Sequence, residues 1–172
     1  MYKRQASYFA GAECTGTPVL TRLDFAANFH YFALGPDPTR FRNGTFCVRW
    51  EGVITPDTDV QGGMFNVGLG KSRFNDKSPS GMGGRLSVGG KRIVDAWDAG
   101  KSTISGGYDF VAGKAIPFEL EYFQANTGGN PSVALLWSLL PSASSDAITP
   151  AVDQIAEADA CVLVLGLSLI HI

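Results

Sequence analysis

Two glutamates two positions apart, Glu119 and Glu121, are the first pair in this 172-residue sequence that could pass a proton. Acid–base chemistry needs two carboxylates in one cleft, one of them with its pKa raised by an apolar setting. Residues i and i+2 of a strand share a face, and the intervening face here carries Ile116, Phe118, Leu120 and Tyr122. The glutamates are therefore expected to face solvent, and no catalytic residue is assigned.

Binding sets are easier to find. Arg73, Phe74 and Asn75 lie inside the long, basic, glycine-rich stretch Lys71–Gly84. A flat aromatic ring can stack on a sugar ring while Arg and Asn bond its hydroxyls. Asp95, Trp97 and Asp98 offer the same combination with carboxylates as acceptors. Each set has a plainer alternative beside it. Polar Gly/Pro-rich stretches are often only surface loops, and an aromatic after a hairpin is often a core anchor with its N–H bonded. His30 has no Ser, Cys or Asp arrangement around it and reads as structural. Asn43-Gly44-Thr45 fits an N-glycosylation acceptor, a triplet that also arises by chance.

The three cysteines, Cys14, Cys47 and Cys161, form no C-x-x-C pair and have no histidine cluster with them, so zinc is not expected. Cys14 and Cys47 can pair if the protein is exported. Two unpaired buried thiols are the plainer expectation.

The elements that must hold these residues are strands. Phe46, Val48 and Trp50 alternate with Cys47, Arg49 and Glu51, and Phe65, Val67 and Leu69 repeat the period of two. The same pattern runs through Ile116 to Tyr122 and through Val133, Leu135 and Trp137. Arg85–Val94 reads as two strands joined at Gly89-Gly90, where a primed turn needs positive φ at both positions. Many short strands of this kind predict two packed antiparallel sheets. The net charge of -2, with no basic patch, excludes nucleic acid as an expected partner. No stretch reaches the roughly 20 apolar residues of a membrane helix, so no membrane partner is expected.

The character changes after Pro141. Ser142–Asp146 is a polar linker, and Thr149-Pro150 looks like a cap and first turn of a helix running to about Ala158. Ala160–Leu165 is continuously apolar, like a strand buried on both faces in a parallel sheet. The two ends are a separate matter. Met1–Gln5 is what GTG TAT AAG AGA CAG encodes with GTG as start, and Leu167–Ile172 is what CTG TCT CTT ATA CAC ATC encodes. These strings are reverse complements over their shared length and look like the transposon end used to fragment DNA for sequencing. Residues 1–5 and 167–172 are thus expected to be adapter translation.

Set in this order, the segments resemble a known pairing. Gly16–Arg22 and Phe46–Gly52 look like the opening of a PA14 domain, the protective-antigen-type β-sandwich. Arg85–Val94 with Asp95-Ala96-Trp97 is similar to that family's RLWIDGKLVIDNW segment. Pro117–Phe123 resembles its PIRVEYF strand, and Val133–Trp137 its closing strand. Ala156–Leu167 resembles the A-x-x-A-D-V-x-V-V-x-G-L strand start of glycoside hydrolase family 3, whose β-glucosidases often carry a PA14 domain inserted in their second, α/β domain.

The resemblance implies an all-β antiparallel sandwich over residues 6–140, a linker over 141–148, and the start of a truncated α/β domain over 149–166. It implies an accessory domain that shapes the sugar pocket of a retaining glycosidase, β-glucosidase or β-xylosidase, whose catalytic carboxylates lie outside this chain. A PA14 loop of such enzymes can lean over the catalytic pocket, which is where Arg73, Phe74 and Asn75 would act. The implied partners are a β-linked carbohydrate and the remaining domains of the parent enzyme, with no cofactor. The compartment stays open, bacterial periplasmic or secreted being favoured over cytoplasmic. Many PA14 domains carry adjacent aspartates before the hairpin that help to hold calcium. Here Asp76 stands alone and Gly89-Gly90 replaces Asp-Gly, so no metal is expected. A free-standing carbohydrate-binding or adhesin-type module, and a purely structural insert, are the other readings of the same segments.

Overall fold

A computed structural model describes residues 4–31, 35–41, 44–71, 81–97, 103–125 and 131–139. Ten strands follow one another: β1 (Arg4–Ala10), β2 (Leu20–Asp24), β3 (Asn28–His30), β4 (Phe46–Ile54), β5 (Val60–Lys71), β6 (Met82–Val88), β7 (Lys91–Ala96), β8 (Thr103–Phe110), β9 (Ile116–Gln124) and β10 (Pro131–Ser138). They form a six-stranded sheet in the order β2-β1-β4-β9-β6-β7 and a four-stranded sheet in the order β3-β10-β5-β8. Every pairing is antiparallel. The expected sandwich is what forms. The helix and strand expected within residues 149–166 lie outside the described residues.

Period-two alternation decides which side chains meet between the sheets. Phe46, Val48, Trp50 and Ile54 of β4 and Phe118, Leu120 and Tyr122 of β9 line one wall of a single core. Phe65, Val67 and Leu69 of β5 and Val133 and Leu135 of β10 line the other. Trp50 and Phe46 are fully buried, and burying side chains of this size supplies about 2 kcal/mol or more each. The Gly89-Gly90 turn of the β6–β7 hairpin has φ of 57° and 78°, as a primed turn requires.

The edge strand β2 is pinned to this core by a polar group inside it. Asp24 is buried, and its Oδ2 accepts from the Tyr8 hydroxyl and the Trp50 indole N–H, each at 2.9 Å. Arg22 donates from Nε to Asp24 Oδ1 at 2.7 Å and from Nη2 to the Tyr8 hydroxyl, also at 2.7 Å. All three donors are thus answered, which is the condition for keeping a carboxylate in an apolar interior. Burial holds the Tyr8 and Tyr122 hydroxyls well above the ordinary tyrosine range, and the Tyr8 hydroxyl keeps the proton it donates to Asp24.

The strand directions sort the connections by end. The links β1–β2, β3–β4, β5–β6, β7–β8 and β9–β10 all emerge at one end of the sandwich, called here the loop end. The links β2–β3, β4–β5, β6–β7 and β8–β9 are short and lie at the opposite end. There the β8–β9 and β4–β5 links bond to each other, Gly113 N–H to Pro56 O at 2.8 Å and Ala112 N–H to Asp59 Oδ1 at 2.7 Å, and the β6–β7 turn bonds to the start of β9, Gly89 N–H to Pro117 O at 2.8 Å.

Candidate functional site

The outer face of the six-stranded sheet, toward the loop end, carries three parallel rows of side chains whose members come from adjacent strands. Register places Phe9, Cys47, Phe123 and Gly83 side by side in the row nearest the loop end. The next row is Ser7, Arg49, Glu121, Arg85 and Asp95. The third is Gln5, Glu51, Glu119, Ser87 and Arg92. The middle row alternates in sign across four strands, the arrangement in which cross-strand charge pairs attract.

Glu121 is the hub of that row. Its side chain is 3% exposed, and Arg49 bonds its Oε1 from Nε at 2.9 Å and from Nη2 at 2.7 Å. Arg85 Nε donates to the other oxygen, Oε2. Arg49 Nη2 also donates to the Cys14 carbonyl at 2.8 Å, and its Nε lies 3.6 Å from Glu119. This corrects the expectation that both glutamates face solvent: Glu119 is half-exposed, Glu121 is buried. Alternation puts Glu121 on the outer face as expected. A small second core roofs that face, and alternation alone cannot reveal a roof.

The roof is built from the row above. Phe9, Cys14, Cys47 and Phe123 form a buried cluster with Trp97, Ala12 and Ala125 packed against it. Cys14 and Cys47 are joined as a disulfide across 33 positions, which overturns the expectation of unpaired thiols. Local sequence could not bring them together, because Cys14 belongs to the β1–β2 link and meets β4 only through the β1–β4 register. Closing a loop of this length constrains the unfolded chain by about 4 kcal/mol. Alkylation of the denatured, unreduced protein should therefore mark Cys161 alone and, after reduction, all three cysteines, with reduction lowering stability by about that amount. Three marked thiols in protein made in an oxidising compartment would contradict the pairing.

Of the residues singled out for binding, Asp95 and Trp97 lie within the described chain. Asp95 ends the charged row, its carboxylate exposed, 3.8 Å from Arg92 and accepting from the Trp97 N–H at 3.4 Å. Trp97 is half-buried, with its ring centroid 4.7 Å from that of Phe123 and the Arg85 guanidinium carbon 4.0 Å from its own centroid. That is a cation–π contact in a partly dry setting. Arg73, Phe74, Asn75 and Asp98 lie outside the described residues. The strands flanking them do not: β5 ends at Lys71 and β6 starts at Met82, beside Trp97 at the end of β7. The stretch expected as loop to Gly84 is thus strand from Met82 onward. The bases of the two binding segments are neighbours at the loop end. Arg49, Arg85, Phe9 and Phe123 were not anticipated as a group, and only the cross-strand register relates them.

Residues 79–149 match the PA14 domain family. The PA14 sugar-binding domain from an RTX adhesin superposes with TM-score 0.51 and 12% identity, over 79% of this chain and 89% of that one. The sandwich has the PA14 fold. The sandwich also superposes on parts of larger chains. An anti-sigma factor domain-containing protein matches at TM-score 0.63 and 26% identity, over 78% of this chain. The β-glucosidase from Kluyveromyces marxianus, in complex with glucose, matches at 0.57 and 15% identity, over 91% of this chain. The present chain spans 42% of the first of these proteins and 18% of the second. No curated protein matches the sequence.

Proposed function

We propose that this chain is the PA14 accessory domain of a β-glucosidase-like glycoside hydrolase, with residues 141–148 as linker and 149–166 as the start of its α/β domain. The loop end would form one wall of the sugar-binding pocket, and the chemistry would belong to carboxylates elsewhere in the parent. Arg73, Phe74 and Asn75 would supply the stacking ring and hydroxyl donors, with Asp95, Trp97 and Asp98 beside them. The observation that carries this reading is the convergence of both segments on one end, their bases set against each other at Gly83 and Trp97. Carbohydrate recognition of this kind needs an aromatic platform with convergent polar groups.

The decisive experiment replaces residues 72–80 by a Gly/Ser run in the longer enzyme and compares kcat/KM for a monosaccharide aryl glycoside and for oligosaccharides. The expected result is about a tenfold change in the oligosaccharide-to-monosaccharide ratio, the loss of one well-placed contact. An unchanged ratio, with immobilised glycans retained by the 172-residue chain alone, would replace this reading by a free-standing sugar-binding module. That alternative is favoured by the 89% coverage of the RTX adhesin's PA14 sugar-binding domain.

A further inference from the structure

Among the described residues, three buried side-chain oxygens lack a hydrogen-bond partner: the hydroxyls of Tyr31 and Tyr122 and Oε1 of Gln124. None is near bulk solvent, since Tyr31 is 4%, Tyr122 0% and Gln124 1% exposed. The great majority of buried polar groups in folded proteins are bonded, either to protein or to ordered water.

The fold gathers these residues in one place. Tyr122 and Gln124 are successive inward positions of β9. Register sets Tyr122 in a row with Tyr8 and Val48, and Gln124 in the next row toward the loop end with Phe46 and Met82. Tyr31 comes directly after β3 of the other sheet. Its ring stacks on that of Tyr122, centroids 6.0 Å apart and planes 17° apart, and meets Phe46 edge-on at 4.9 Å. Packing of the rings fixes both hydroxyl oxygens, so neither can swing away to a distant partner. The Tyr8 hydroxyl, which acts on that of Tyr31, is already engaged: it donates to Asp24 and accepts from Arg22.

The chemistry of the three oxygens selects what they hold. Burial keeps the Tyr31 and Tyr122 protons well above the ordinary tyrosine range, so each hydroxyl offers a donor. A metal ion would leave both protons without an acceptor, and an anion would face the Gln124 carbonyl oxygen. A water molecule has lone pairs for both hydroxyls and a proton for the carbonyl, and buried waters make about three hydrogen bonds each. We infer that Tyr31, Tyr122 and Gln124 bind a resident water molecule between the two sheets near the loop end. The site lies under the base of the 72–80 segment, because Gln124 pairs with Met82 at the start of β6 and Ala125 N–H donates to the Gly81 carbonyl at 2.6 Å. The water thereby ties that base into the core. The inference does not rest on the sugar-binding reading and stands whether or not the loop end takes a glycan.

Thermal melting of the 172-residue chain carrying Tyr122→Phe tests this by its sign. Loss of a donor to the water should lower the melting temperature by about 5 °C, as the loss of a buried hydrogen bond does. An unpaired hydroxyl would give the opposite result, because its removal relieves the cost of a buried, unbonded polar group. A rise or an unchanged melting temperature therefore overturns the inference. Tyr31→Phe should act in the same direction, and the Ala125 amide of Tyr122→Phe should exchange with deuterium about tenfold faster. Unchanged exchange would cut the link between the water and the loop base. Melting temperatures of the unaltered chain should agree in sodium, potassium and choline chlorides at equal ionic strength. Dependence on the cation overturns the inference by making a metal ion the occupant. A crystal structure of the unaltered chain should show density within hydrogen-bonding distance of all three oxygens, and clear space there also overturns it.

Discussion

Gly83→Ala is expected to destabilise the sandwich by about 4 kcal/mol, enough to lower its melting temperature by roughly 10 °C or more. The reason is contact, not backbone freedom, since Gly83 is absent from the glycines with positive φ. A Cβ at this position would meet Phe123 Cε1 at 2.5 Å and the Trp97 carbonyl carbon at 2.7 Å, with the Trp97 carbonyl oxygen closer still. Backbone cannot swing away as a flexible side chain does, so the segment leaving β7 would have to lift off the sheet. Trp97 would then lose Phe123 and Arg85 together. Gly84→Ala is the control, because its Cβ would crowd the side chains of Leu69 and Val67, both at 3.3 Å, and meet the Glu121 carbonyl oxygen at an ordinary 3.6 Å, so a cost of about 1 kcal/mol is expected. Thermal melts of the two variants decide the matter. Equal melting temperatures would mean that the Trp97 backbone does not cross over Gly83.

The second large effect belongs to Glu121. Its removal as Glu121→Ala leaves two guanidiniums facing each other with no carboxylate between them. Breaking a buried pair from one side costs about 3–5 kcal/mol; about 3 is expected here, because Arg49 and Arg85 keep about 30% and 27% of their side-chain surface in water. Arg49→Ala and Arg85→Ala should each cost less, since either leaves the carboxylate one arginine. Urea denaturation of the three variants gives the order. A Glu121→Ala cost below that of both arginine variants would remove Glu121 from the centre of the row. The same substitution should also loosen the Cys14 segment, because Arg49 holds the Cys14 carbonyl while it holds Glu121.

These two sites show where reading the sequence succeeds and where it stops. Alternation in β4, β5, β9 and β10 locates the core wall correctly, because a side chain's face depends only on its position along its own strand. The Gly89-Gly90 turn is legible for the same local reason. Glu121 is not, since its burial depends on Arg49 and Arg85, 72 and 36 positions away, and on the disulfide and aromatics above them. Met82–Gly84 reads as loop because three small or flexible residues follow a polar stretch. It is strand because Gly83 makes room for a passing backbone. The candidate site is half legible: residue types nominate Asp95 and Trp97, and register alone supplies their charged and aromatic neighbours.

The pairing of β4 with β9 at the middle of the six-stranded sheet has a consequence in time. It joins residues roughly sixty to eighty positions apart, so the centre of the sheet cannot close until the chain has been made as far as Gln124. Folding dominated by such distant pairings runs in milliseconds to seconds, against microseconds for local structure. The β6–β7 hairpin can form by itself meanwhile, and Cys14 can find Cys47 while β9 is still unmade. Until β9 arrives, β4 presents Phe46, Val48 and Trp50 on an open edge. Through that interval the growing chain depends most on a chaperone and is most exposed to joining another copy of itself.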